Sequence, residues 1–128
     1  MTTTLTLAGF LLARIAEDEA VARDAFYDGQ RWVPEEEAVV AADRDLDPVL
    51  FLDRKRDATH AANWSPARVL AECAAKRQIM NVLNEFALAL GNQSSEQFVG
   101  TINGLRIAVK VLAMVYADHP DYDETWRA

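Results

Sequence analysis

Residues 94–116 read SSEQFVGTINGLRIAVKVLAMVY. Phe98, Ile102, Leu105, Val109, Leu112 and Tyr116 recur there at alternating steps of four and three, the spacing of residues that share one helix face. Ser94 and Gln97 stand ahead of that run at capping-box spacing. The stretch predicts a helix with an apolar seam, stopped by Asp118-His119-Pro120, with His119 beside the last carbonyls. Gly100 and Gly104 each weaken such a helix by about 1 kcal/mol relative to Ala. Close approach of another helix is the reason to keep them.

Upstream, Trp64-Ser65-Pro66-Ala67 opens a second long helix, with Ser65 as its N-cap and Pro66 at its first position. Val69, Cys73, Met80, Leu83, Ala87 and Leu90 form its stripe, Ile79, Val82 and Phe86 widen it, and Gly91-Asn92 ends it. Two such helices joined by a short polar loop are expected to pair antiparallel. A first helix is predicted over Leu5 to Phe26, with Leu5, Ala8, Leu12, Ile15, Ala22 and Phe26 inward and Glu17, Asp18, Glu19, Arg23 and Asp24 outward, stopped at Asp28-Gly29.

Residues 30–52 read two ways. Pro34-Glu35-Glu36-Glu37 has the form of a helix opening, whereas Val39-Val40 and Val49 to Leu52 suit strands paired across the polar turn Asp43 to Asp47. The strand reading is preferred, and a short helix over Asp53 to Asn63 follows it. The expected fold is α+β, mainly α, in one domain over 1–128. A long N-terminal helix (1–28) precedes a small β-hairpin or short sheet (30–52), helices with an antiparallel C-terminal pair (53–117) and an extended tail (118–128).

Composition narrows the function. Hydrophobic residues are 51% and charged residues 26% of the 128, the balance of a chain that folds by itself. The net charge is −7, and residues 1–60 hold 7 Lys and Arg against 13 Asp and Glu. That balance repels phosphate backbones, which disfavours direct nucleic-acid binding and leaves an acidic DNA mimic open. Cys73, the sole cysteine, reads as a small buried hydrophobe. The apolar run Leu5 to Ala13 is too short to cross a bilayer, which takes about 20 residues, and the expected location is cytoplasmic.

Three segments are distinctive: residues 10–20 (FLLARIAEDEA), residues 65–72 (SPARVLAE) with Ala75-Lys76-Arg77, and residues 116–122 (YADHPDY) with Trp126-Arg127. In their order and spacing they resemble an uncharacterised family of small proteins from actinobacteria and their phages. The resemblance implies a phage or prophage setting and strands in the middle segment, and it brings no activity. Many similar sequences carry a cysteine-containing insert suited to zinc, whereas Gly91 to Gly104 here holds neither Cys nor His.

Motifs for common chemistries are missing. Asp43-Arg44-Asp45-Leu46-Asp47 alternates like a calcium loop, but Pro48 takes the place of the required Gly and Arg54 that of the bidentate Glu. Neither His60 nor His119 has a Glu three residues earlier, as a di-metal bundle needs. P-loop, dinucleotide, nucleophile-elbow and zinc-helix signatures are absent too. No catalytic residue, metal ligand or cofactor is expected.

Arg68, Glu72 and Lys76 share one helix face with Arg77 beside it, either as a solvated salt-bridge ladder or as a docking surface. Tyr122 and Trp126, among acids that include Asp121, are expected to fold back over the end of the bundle. Arg68, Glu72, Lys76, Arg77, His119, Asp121, Tyr122 and Trp126 are therefore the candidate binding residues. The leading expectation is a non-enzymatic accessory protein that binds a protein partner or a second copy of itself through the Val109 seam. The alternative is a small enzyme or ligand-binding domain that holds an anion near Arg68, Lys76 and Arg77.

Overall fold

The computed structural model describes residues 5–90 and 95–128. Its elements run α1 (Leu7–Asp24), a 3-10 turn (Ala25–Asp28), β1 (Trp32–Glu35), β2 (Ala38–Ala41), β3 (Asp47–Phe51), α2 (Lys55–Ala62), α3 (Pro66–Ala89) and α4 (Glu96–Ala113). Short 3-10 turns follow at Met114–Tyr116 and Glu124–Trp126. The expected α+β architecture, mainly α, is the one observed. The helix stop at Gly91-Asn92 and the Ser94 half of the capping box lie outside the described residues. Ser95 caps α4 by accepting the Phe98 N–H at 3.2 Å.

The chain divides into two compact units, residues 16–74 and residues 1–15 with 75–128. In residues 16–74, β1, β2 and β3 form an antiparallel sheet in chain order, pairing Val33 with Val40 and Val39 with Leu50. The helix opening at Pro34 does not form. Pro34 and Glu35 belong to β1, and the chain reverses at Glu36, whose φ of 56° is left-handed. Cross-strand pairing with β2 outweighs the local preference of one proline followed by acids. Val39, Ala58 and Ala62 form a small core between sheet and α2, joined by Trp32, Val49 and Leu52.

The entry into β1 is held by one carboxylate. Asp43 accepts the Gln30 and Arg31 N–H groups at 2.9 and 3.0 Å. Gly29 beside it has φ +92°, and a Cβ there would lie 2.7 Å from that of Ala41. Only glycine fits both the conformation and the space.

In the other unit, α3 and α4 run antiparallel. Lys76 reaches Tyr116, Met80 and Leu83 share a cavity wall with Arg106 and Val109, and Phe86 lies 5.2 Å from Phe98 ring to ring. The seam expected from the sequence is the buried side of α4, with Ile102 and Val109 almost fully enclosed. Val109 is thus enclosed within the single chain. α1 begins at a Thr6 cap, whose hydroxyl accepts the Gly9 N–H at 3.0 Å.

The inward face of α1 differs from expectation. Phe10, Leu11, Arg14, Ile15 and Ala22 are buried, while Leu5 and Leu12 are exposed. Both stripes fit a 3.6-residue period, and tertiary partners for Phe10 and Arg14 select between them. Asp18 and Glu19, expected outward, are half-buried.

Candidate functional site

Residues from all three distinctive segments meet in the unit formed by residues 1–15 and 75–128. Phe10, fully buried on α1, is the hub. Around its ring stand Tyr116, His119, Tyr122 and Trp126, with centroids 6.5, 5.6, 5.7 and 5.2 Å away. The first three of these contacts are edge-on, the arrangement that sets a positive ring edge against a negative face. Tyr122 and Trp126 also meet each other edge-on at 5.6 Å. Residues 118–128 run through short turns, and Tyr122 and Trp126 pack against Phe10 of α1.

Two cations enter the cluster. Arg14, one turn after Phe10, has its guanidinium 5.4 Å from the Phe10 centroid and meets His119 Nε2 through Nη1. The Asp121 N–H donates to His119 Nδ1 at 3.0 Å, which ties the ring to the backbone of its own turn. Lys76 donates to Tyr116 Oη at 3.2 Å with its ammonium 5.2 Å from the ring centroid. The Tyr122 hydroxyl is buried and has no hydrogen-bond partner among the described residues.

The tail is locally braced. Asp123 accepts the Thr125 N–H and hydroxyl, first the backbone bond and then the hydroxyl holding its carboxyl below the ordinary range. Arg127 donates to Glu124 through Nε and Nη2 at 2.9 and 3.1 Å, which lowers the Glu124 carboxyl, and its guanidinium lies 5.9 Å from the Tyr122 ring centroid.

Of the ladder expected on α3, the first rung forms, Arg68 to Glu72 at 3.0 Å with both side chains near half exposure. Arg68 also covers the Trp64 ring at 5.0 Å, and Trp64 is an exposed residue. Lys76 turns to Tyr116. The Arg77 side chain is half-buried and engaged. His119, Asp121, Tyr122 and Trp126 come together with Lys76, while Arg68 and Glu72 form their own pair in residues 16–74. Phe10 and Arg14 are site residues that sequence reasoning misses. Their signal is an aromatic and a cation four apart on α1, the spacing of neighbours on one helix face.

A cavity of about 230 Å³ is lined by Ala8, Met80, Leu83, Ala87 and Val109, with Asn84 and Arg106 as its polar groups. An open groove of about 410 Å³ on the sheet is bordered by Glu35, Glu36, Glu37, Leu46 and Phe51. Among the described residues, no group of three His, Cys, Asp or Glu side chains could hold a metal ion.

A second feature is the outer side of α4. Ile107 and Val111, with Val115 of the 3-10 turn that follows the helix, are exposed by 58, 52 and 71%. Gly100 and Gly104 continue the same stripe, and a Cβ on either would meet nothing within 4 Å among the described residues. α4 is therefore apolar on two opposite faces. Residues Glu96–Tyr116, with mean hydropathy 1.6, are long and apolar enough to cross a membrane by length and composition alone.

A family model described as a family of unknown function (DUF6221) matches residues 4–128. The chain belongs to that family. The match takes in the aromatic cluster and the outer face of α4 alike. No curated protein and no solved structure is significantly similar to this DUF6221 chain.

Proposed function

We propose that this DUF6221 protein is a non-enzymatic accessory protein of the cytoplasm, in an actinobacterial or phage setting, that acts by protein–protein contact. The observation that supports this reading is the outer face of α4. One face of the helix has its burial from α3, and the other leaves three branched apolar side chains in water, where covering them is worth about 25 cal/mol per Å². A photo-crosslinking residue placed at Val111 in cells tests it. Crosslinks to protein are expected; crosslinks to lipid alone, or none, would sink the reading.

A second reading, a small domain that holds an anion, draws support from Arg14, Lys76 and His119 converging around Phe10 and Tyr116. All three already contact protein groups, which is why it comes second. Titration with inorganic phosphate, followed through the His119 ring resonances, decides it: no movement at millimolar phosphate ends this reading.

A further inference from the structure

We propose that the partner of the outer α4 face is a second copy of this chain, docked antiparallel, α4 against α4. The inference rests on the contact reading above and names the occupant from size and charge along one helix.

Size comes first. The stripe Gly100, Gly104, Ile107, Val111, Val115 is small at its N-terminal end and branched at its C-terminal end. A parallel second copy sets glycine on glycine and valine on valine, leaving a gap at one end and crowding at the other. Reversed, the copy brings Val111 over Gly100 and Ile107 over Gly104, so that these two branched side chains face positions where, among the described residues, a Cβ would meet nothing within 4 Å. Matching large to small in this way is what lets two helices reach packing distance.

Charge selects the same direction. α4 carries three charges, Glu96, Arg106 and Lys110. Arg106 lines the cavity shared with α3. By helical spacing the exposed Glu96 and the half-buried Lys110 flank the outer stripe on one side, near opposite ends and about 21 Å apart along the axis at 1.5 Å per residue. A parallel copy puts Glu96 beside Glu96 and Lys110 beside Lys110. An antiparallel copy turns each acid toward the other chain's base, so the arrangement is self-complementary about a two-fold axis. The stripe itself is uncharged, in a chain whose net charge of −7 repels a second copy elsewhere.

Sedimentation velocity and light scattering on the full chain over a range of concentrations test the proposal. A dimer is expected. Ile107→Asp combined with Val111→Asp is expected to give a monomer that keeps the far-ultraviolet circular dichroism of the parent, since both positions are exposed in the single chain. Glu96→Lys or Lys110→Glu alone is expected to raise the dimer dissociation constant by roughly 3- to 10-fold, and the two together to restore it. A monomer at every concentration overturns the second copy. If Val111 then still crosslinks to other proteins, the contact reading survives; if the monomer instead floats with phosphatidylcholine–phosphatidylglycerol vesicles, the face is a membrane face and both fall. A dimer that persists in the Asp double variant, or charge swaps without rescue, overturns the antiparallel α4 interface.

Discussion

Lys76 Nζ donates to Tyr116 Oη at 3.2 Å, tying α3 to the end of α4 across 40 positions of sequence. The bond closes the antiparallel pair at the end where the aromatic cluster sits. Lys76→Met keeps the aliphatic stem and removes the donor and the charge. It is expected to cost about 1 kcal/mol, the scale of one hydrogen bond with a partly exposed cation–π contact. Urea unfolding checks this, and an unchanged midpoint would mean the bond contributes nothing.

Phe10→Ala removes the ring on which Tyr116, His119, Tyr122 and Trp126 converge. A loss of about 3–5 kcal/mol is expected for a fully buried aromatic. Because the tail rests on this ring, Trp126 should become more solvated. Near-ultraviolet circular dichroism and red-shifted tryptophan fluorescence report that change. Loss of stability with both spectra intact would show that the tail is held by something else.

Tyr122→Phe is expected to stabilise the protein. The hydroxyl is buried without a hydrogen-bond partner among the described residues, and such a group costs about 1–3 kcal/mol. The phenyl ring keeps its contacts with Phe10, Trp126 and Arg127. Thermal melting of the two proteins side by side gives the sign, and a lower midpoint for the variant would contradict the geometry.

Asp43 sets an acid dependence. The Gln30 N–H and then the Arg31 N–H hold its carboxyl below the ordinary value of 3.8. A folded-state pKa below the unfolded one gives stability that is present above the unfolded value and lost as pH falls through the folded one. Asp43→Asn is therefore expected to lower stability near neutrality and to flatten its fall below about pH 4. Denaturant melts between pH 3 and 7 measure both effects, and parallel pH profiles would remove Asp43 as their source.

Gly29→Ala meets two obstacles, a φ of +92° and a Cβ 2.7 Å from that of Ala41. A loss of about 1–3 kcal/mol is expected, the range for a residue forced into a sparsely populated backbone region. Equal stability by urea titration would mean that the turn relaxes at no cost.

Much of the fold is legible in the chain itself. The four-three spacing from Phe98 to Tyr116, Ser65-Pro66 at the head of α3 and the polar turn from Asp43 to Asp47 are local signals, and each specifies its element without distant partners. Pro34-Glu35-Glu36-Glu37 shows where local signals stop. Its helix-opening chemistry is sound in isolation and yields to strand pairing, because ladder bonds to β2 are available only once the chain has turned back on itself.

The candidate site divides along the same line. Sequence alone determined that residues 10–20, 65–72 and 116–122 stand apart and that α4 has an apolar seam. Only tertiary structure decided that Phe10 is what the tail aromatics pack against, that Arg14 and Lys76 turn to His119 and Tyr116, and that α4 keeps a second apolar face outward. The physical reason is periodicity. A helix rich in apolar residues has more than one stripe consistent with 3.6 residues per turn, and only packing against other elements spends one stripe and leaves another exposed.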